Sequence, residues 1–306
     1  MFPAASVIAF TVSAGAGYGL LVLTAIAAPL GLFGDRSDLV VPAAGLALAA
    51  ILTGLLSSTL HLGRPSRAWR AISQWRSSWL AREGVAALAG LPPAALFVAL
   101  SWLGLWPELA TAAGLVAAAL ALVTVFCTAM IYGSLIPIAQ WRSPWTVPAY
   151  FVLAFLSGAL LLSSLAGKHA TGSAAFDWIA MAANLAAWTV KRLYWRQKPD
   201  ERLQPATGLE RLGKTRVLWA QDGASTFVHR EMLTTLEPER ARAMRLAAEV
   251  LLFALPLALT AFAVAGPPAA SASVIWLATI SAAVGLGFER WLFFAEARHA
   301  SRIFYR

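Results

Sequence analysis

Eight runs of apolar residues, separated by short polar segments, dominate the chain: 6–32, 39–60, 84–105, 109–135, 147–165, 174–190, 246–264 and 274–294. About 20 such residues cross a bilayer as a helix. The ten-residue segments of alternating hydrophobicity that mark a membrane barrel are absent. The pattern predicts an all-α fold, a polytopic membrane protein whose eight transmembrane helices form one integral membrane domain over residues 1–306. The first run is too long for a signal-peptide core and lacks a basic flank, so it is expected to remain as the first span. Pro92-Pro93 and Pro256 fall inside spans and are expected to kink them. Gly15, Gly17 and Gly19 within the first span read as close helix packing.

Composition agrees. Hydrophobic residues make up 59% of the chain and charged residues 13%, and the mean hydropathy is +0.68. Soluble domains sit nearer half apolar and a quarter charged. The single cysteine, Cys127, lies in an apolar run and supports neither a disulfide framework nor a cysteine-based metal site. The net charge of +9 does not call for nucleic acid, because its distribution follows the membrane. The second, fourth and sixth connections and the chain from Arg290 onward hold 22 of the 24 Lys and Arg, leaving only Arg36 and Lys168 on the opposite side. By the positive-inside rule the basic side is cytoplasmic and both termini lie there. In a bacterium this means the inner membrane.

The sixth connection, 191–245, is the one sizeable polar segment. It is broken by Pro199, Pro205, Gly208, Gly213 and Gly223, and Glu237-Pro238-Glu239 then reads as a helix start. A loop of that length is either disordered or binds something, and its apolar Val217-Leu218-Trp219 and Thr226-Phe227-Val228 patches argue for ordered contact.

Few residues are available for chemistry. His61 ends the second span and Glu83 begins the third, so both lie at similar depth on the basic side of two antiparallel neighbours. A quinone head group needs such partners, a hydrogen-bond donor to one carbonyl and a group that takes or gives protons as electrons move. Arg64 and Arg67, with Arg70, Arg76 and Arg82, are placed to orient that pocket or to contact a partner. The alternative is an interfacial histidine wetted by headgroups and a helix-start acid favoured by the macrodipole.

The four histidines, His61, His169, His229 and His299, all fall at helix ends or in connections. No pair is placed to ligate a haem, and no cluster has metal-ligand spacing. Glu289-Arg290 inside the last span reads as an ion pair or a proton path. Glu249 reads as a helix-start acid or a relay, and Asp177 and Asn184 as interhelical hydrogen-bonding groups or the lining of a cavity. Trp75, Trp79, Trp141 and Trp145 read as an interfacial aromatic belt, or as stacking surfaces for a quinone ring.

Three patches carry a resemblance. The first is His61-Leu62-Gly63 with Pro65, Arg67, Ser78, Leu80 and Glu83. The second is 227–232, with Arg230-Glu231-Met232 at its core, and the third is Glu289-Arg290-Trp291-Leu292-Phe293-Phe294-Ala295-Glu296. Together they make the chain resemble the DmsC-type membrane anchors of the dimethyl-sulfoxide-reductase, or molybdopterin oxidoreductase, family. The resemblance implies a haem-free, metal-free subunit that holds a molybdopterin catalytic subunit and a four-cluster, ferredoxin-like iron–sulfur subunit to the membrane lipid. It also implies electron exchange with menaquinol or ubiquinol, with quinol giving two electrons and two protons. Carried over by position, His61 and Glu83 become the quinol-site residues, with Arg64 and Arg67 in support; Glu289, Arg290 and Trp79 are candidates for further support. An NrfD-type quinone-active anchor and a secondary transporter stand as the alternatives.

Overall fold

The computed structural model describes residues 3–34, 37–60, 65–67, 69–167, 173–197, 213, 236–266 and 268–300. Within them the regular elements are helices, apart from one isolated bridge between Ile138 and His299. In chain order these are α1 (Ala5–Ala27), α2 (Val40–Thr59), the one-turn α3 (Trp69–Ile72), α4 (Trp79–Leu103), α5 (Pro107–Gly133), α6 (Thr146–Ala166), α7 (Ser173–Arg196), α8 (Pro238–Ala248), α9 (Leu255–Ala265) and α10 (Pro268–Ala295). His61 and Arg64 lie outside the described residues, as do patch 227–232 and most of the sixth connection.

Seven helical stretches among the described residues are long and apolar enough to cross a membrane: α1, α2, α4, α5, α6, Pro238–Ala265 and Ala272–Ala295. The chain is therefore a multi-pass membrane protein, but of the eight expected spans the sixth, 174–190, falls short. That run forms α7, a helix of 24 residues, whose Asp177, Asn184, Lys191 and Arg192 make it too polar to qualify. It packs against α6 and α9. The outward face of the bundle is apolar, with Leu56, Leu60, Trp102, Phe262 and Ile280 all more than half exposed, as lipid contact requires.

Helix ends follow local chemistry. Ser78 precedes α4 in extended conformation and its hydroxyl accepts from the Ala81 amide, a serine N-cap. Gly104 ends α4 at φ 65°, a left-handed stop that glycine takes without strain. α4 runs unbroken through Pro92-Pro93. Pro256 acts differently. The turn before it, Glu249–Ala254, is a π-helix that joins α8 to α9. Pro256 has no amide to close a normal turn on Leu252, and the wide turn absorbs that loss. The Ser281 hydroxyl of α10 donates to the Leu251 carbonyl in this turn at 2.8 Å.

α1 is the central helix. Every residue from Gly17 to Val22 is buried, and α1 packs against α2, α5, α6 and α10. Glycines set these approaches. A Cβ on Gly17 would lie 2.7 Å from the Ala47 carbonyl oxygen of α2, and one on Gly19 would lie 1.9 Å from the Ala154 carbonyl oxygen of α6. Gly15 faces open space, so two of the three glycines carry the close packing expected of them.

Several basic segments converge at one end of the bundle. Tyr194 of α7 donates to the Gln140 carbonyl in the α5–α6 connection, and the Ala300 amide donates to Pro137. Arg245 pairs with Glu296 at 2.5 Å and Arg192 with Glu249 at 2.6 Å. The grouping of the fourth connection, the flanks of the sixth and the chain end on one side is thus a contact network in the fold.

Candidate functional site

Glu83 is enclosed within the bundle. It lies in the second turn of α4, only 5% exposed, and Thr128 of α5 donates to its Oε1 at 2.5 Å. The Thr128 hydroxyl also lies 2.9 Å from the Thr124 carbonyl. With one proton to give, it donates to an ionised Glu83, or to Thr124 while accepting from a protonated Glu83. The arrangement suits both charge states of the carboxyl. Among the described residues no cation pairs with Glu83.

Behind Thr128 is a cavity of about 30 Å³ lined by Tyr18, Thr128, Tyr150 and Arg290, with Thr11, Ser157 and apolar residues completing the wall. Arg290 opens onto the second buried cluster. Its Nε and the Nζ of Lys191 each lie 2.5 Å from a different oxygen of Glu289. All three side chains are at most 3% exposed. A buried carboxylate between two cations is an arrangement in which removing any one partner strands charge. The Arg290 guanidinium also lies over the rings of Tyr150 (4.5 Å) and Phe293 (5.1 Å).

An aromatic box closes this region toward the basic end. Tyr132 stacks on Tyr150 and meets Trp141, Phe293 and Phe294 edge-on, with centroids 5.0 to 5.4 Å away for those three. Trp141 is 5% exposed and donates from Nε1 to the Phe293 carbonyl at 2.8 Å. It belongs to the core and not to the interfacial belt. Trp141→Phe keeps the ring packing but strands that carbonyl, and is expected to cost about 1 kcal/mol, read as a fall of a few degrees in the melting temperature of the detergent-solubilised protein.

The remaining sequence candidates fall in place as follows. Trp79 packs edge-on against Phe126 at 5.7 Å, and the Arg82 guanidinium lies 4.2 Å over its ring. Arg82 also donates to the carbonyls of Trp75 and Arg76, strapping the hairpin to α4. Arg67 is exposed in a single 3-10 turn, Pro65–Arg67. Asp177 accepts from Ser163 of α6, an interhelical hydrogen bond. Arg290, paired with Glu289, joins the region of Glu83 through the cavity wall, a connection that sequence spacing does not reveal. Thr128, Tyr18 and Tyr150 do not stand out in the sequence at all, and Lys191 falls beyond the end of its apolar run.

The whole length of the chain has known counterparts. The family described as the DMSO reductase anchor subunit (DmsC) matches residues 1–295. The chain belongs to the DmsC family. Two relatives frame this DmsC-family protein. The C subunit of the sulfite dehydrogenase of Allochromatium vinosum is 29% identical over 331 aligned positions, covering all of the chain and 99% of that protein. The C component of the anaerobic dimethyl sulfoxide reductase of Escherichia coli K12 is 30% identical over 125 positions, covering 37% of the chain and 41% of that protein. The resemblance drawn from three short patches therefore extends across the DmsC-family fold.

Proposed function

We propose that this chain is the quinone-linked membrane anchor of a molybdopterin oxidoreductase, holding an iron–sulfur subunit and a catalytic subunit on its basic face. In this reading α7 also spans the membrane and brings the spans to eight, supported inside the bundle by its partners, and the basic face is cytoplasmic with both termini. The observation that carries the proposal is Glu83. A buried carboxyl with no cation beside it among the described residues is a liability to stability, and its Thr128 partner serves both charge states. This is the behaviour required of a proton carrier.

The cavity behind Thr128 admits a water or two but no quinone ring, since pockets for ring-sized ligands run to about 300 Å³ or more. The ring therefore approaches Glu83 from the side of the His61 hairpin. His61 donates to one quinone carbonyl, Glu83 serves the other, and Arg64 and Arg67 support the hairpin or the docked partner. Quinone reduction takes two electrons from an iron–sulfur cluster of the partner and two protons, one from Glu83 and one from His61. Quinol oxidation is the same sequence reversed. The whole-chain match to a subunit of a sulfite dehydrogenase favours electrons entering the quinone pool, with sulfite the first substrate to try on the complex.

The test is purification of the tagged complex in mild detergent, with metal analysis and turnover assays. The proposal expects co-purifying molybdenum or tungsten, abundant iron, and quinone-linked turnover. His61→Ala is expected to lose quinone-linked turnover while turnover with an artificial dye, which takes electrons from the partner subunits directly, persists. Unchanged quinone-linked turnover in His61→Ala overturns the site.

A further inference from the structure

We infer that the cavity behind Thr128 and the buried pair Glu289–Lys191 form the proton path between Glu83 and the basic face of the bundle. The inference rests on the reading of Glu83 as the quinone-facing proton carrier, and it adds residues and a route to that reading.

The first observation is a set of unpartnered polar atoms around one cavity. The hydroxyls of Tyr18 and Tyr150 and Nη2 of Arg290 are buried without a hydrogen-bond partner. Tyr18 sits beside Thr124 and Tyr150 beside Tyr132, but neither hydroxyl reaches hydrogen-bond geometry. All three side chains line the cavity with Thr128. A stranded buried donor or acceptor costs about 1 to 3 kcal/mol, so three around one space point to a constituent that satisfies them. At about 30 Å³ the space holds roughly two waters, and these four groups supply the two to four partners that each buried water needs.

The second observation is continuity on the far side. Arg290 contacts Glu289, and Glu289 contacts Lys191, each at 2.5 Å. The Lys191 ammonium lies 4.0 Å from the Tyr194 ring centroid and 4.9 Å from that of Trp195. Both rings line a groove of about 400 Å³ whose wall includes the Arg245–Glu296 pair. Glu289 thus meets Lys191, and Lys191 meets two rings that form the wall of a groove at the end of the bundle where the basic segments meet.

In quinone reduction, Glu83 gives up a proton and is recharged through this line. A proton from water in the groove enters at Lys191 as Lys191 passes one to Glu289. Glu289 passes its proton to water held beside Arg290, the member of the pair that lines the cavity, and that water delivers one through the Thr128 hydroxyl to Glu83. No electron moves in these steps, and each intermediate group ends with the charge it had at the start. In quinol oxidation the protons run outward by the same groups. Arg290 keeps its proton throughout and is a positioning residue, holding the cavity water and Glu289 in line.

The test uses the complete complex and compares Glu289→Gln and Tyr150→Phe with the unaltered protein. Four quantities are read: the quinone-linked kcat, the KM for quinone, dye-linked turnover, and rescue of the quinone-linked rate by millimolar imidazole, which carries protons but repairs no packing. Glu289→Gln is expected to lower the quinone-linked kcat at least about tenfold with an unchanged KM and partial rescue. Tyr150→Phe, which removes only a hydroxyl, is expected to lower kcat about threefold with rescue by the same base. A full quinone-linked kcat in assembled Glu289→Gln overturns the path, as does a loss that imidazole leaves untouched or that dye-linked turnover shares. Should Glu289→Gln fail to assemble, Tyr150→Phe decides, and an unchanged kcat there overturns the path. Active Glu289→Gln and Tyr150→Phe beside an inactive Glu83 variant would remove the path and leave the quinone site standing. A complex with no quinone-linked turnover at all removes both.

Discussion

Glu83→Gln is expected to lower quinone-linked turnover at least about 100-fold, the lower end of what a positioned acid or base contributes, in a complex that still assembles. Assembly survives because glutamine reproduces the protonated state of Glu83. Its amide donates to Thr128, whose hydroxyl donates in turn to the Thr124 carbonyl, the 2.9 Å contact already present. No cation is stranded, because Glu83 pairs with none among the described residues. Turnover fails because the amide neither gives nor takes a proton. Dye-linked turnover is unaffected, since the dye bypasses α4. A Glu83→Gln complex with normal quinone-linked kcat would remove Glu83 from the proton chemistry.

Gly19→Val is expected to prevent assembly. A Cβ on Gly19 falls 1.9 Å from the Ala154 carbonyl oxygen, and one on Gly158 falls 2.3 Å from the carbonyl carbon of Gly19. The clash is backbone against backbone, so no rotamer relieves it, and α1 must separate from α6. That crossing also forms part of the cavity wall, through Ala14, Tyr18, Tyr150 and Ala154. Overpacking a tight interior costs about 1 to 3 kcal/mol, and more where the backbone must move. Gly15→Ala is the control: it lies on the same helix one turn away, has nothing within 4 Å of its Cβ, and is expected to leave yield and melting temperature unchanged. Membrane yield and thermal stability of the tagged protein check both. Normal yield of Gly19→Val would show that the α1–α6 approach is looser than described.

The set of long apolar helices is the most legible part of this chain, because apolar runs of membrane length correspond to helices almost one to one. α7 departs from that pattern. Its apolar run stops at Val190, which puts Lys191 in the following loop by sequence, whereas the helix continues to Arg196 and buries Lys191 completely. A signal for this is present, since Trp188, Tyr194 and Trp195 lie three or four residues from Lys191 and so share its face of a helix. Pro256 answers the expectation of a kink with a π-turn upstream. Glu83 and Glu289-Arg290 are visible in the sequence as ionisable groups in grease. Their proximity is not, because it depends on how α1, α5, α6 and α10 surround the cavity. Thr128, Tyr18 and Tyr150 give no signal, as a hydroxyl in an apolar run has many uses. Ser78 of the first patch gains a concrete role as the N-cap of the helix that carries Glu83.

The central claim is that quinone meets this protein at Glu83 and the His61 hairpin. The most direct measurement is a titration of the purified complex with a fluorescent hydroxyquinoline N-oxide, a quinol analogue whose emission is quenched on binding. The account predicts saturable quenching at one site per complex, abolished in His61→Ala and at least about tenfold weaker in Glu83→Gln. Quenching of equal affinity in all three proteins would contradict it and place the quinone elsewhere.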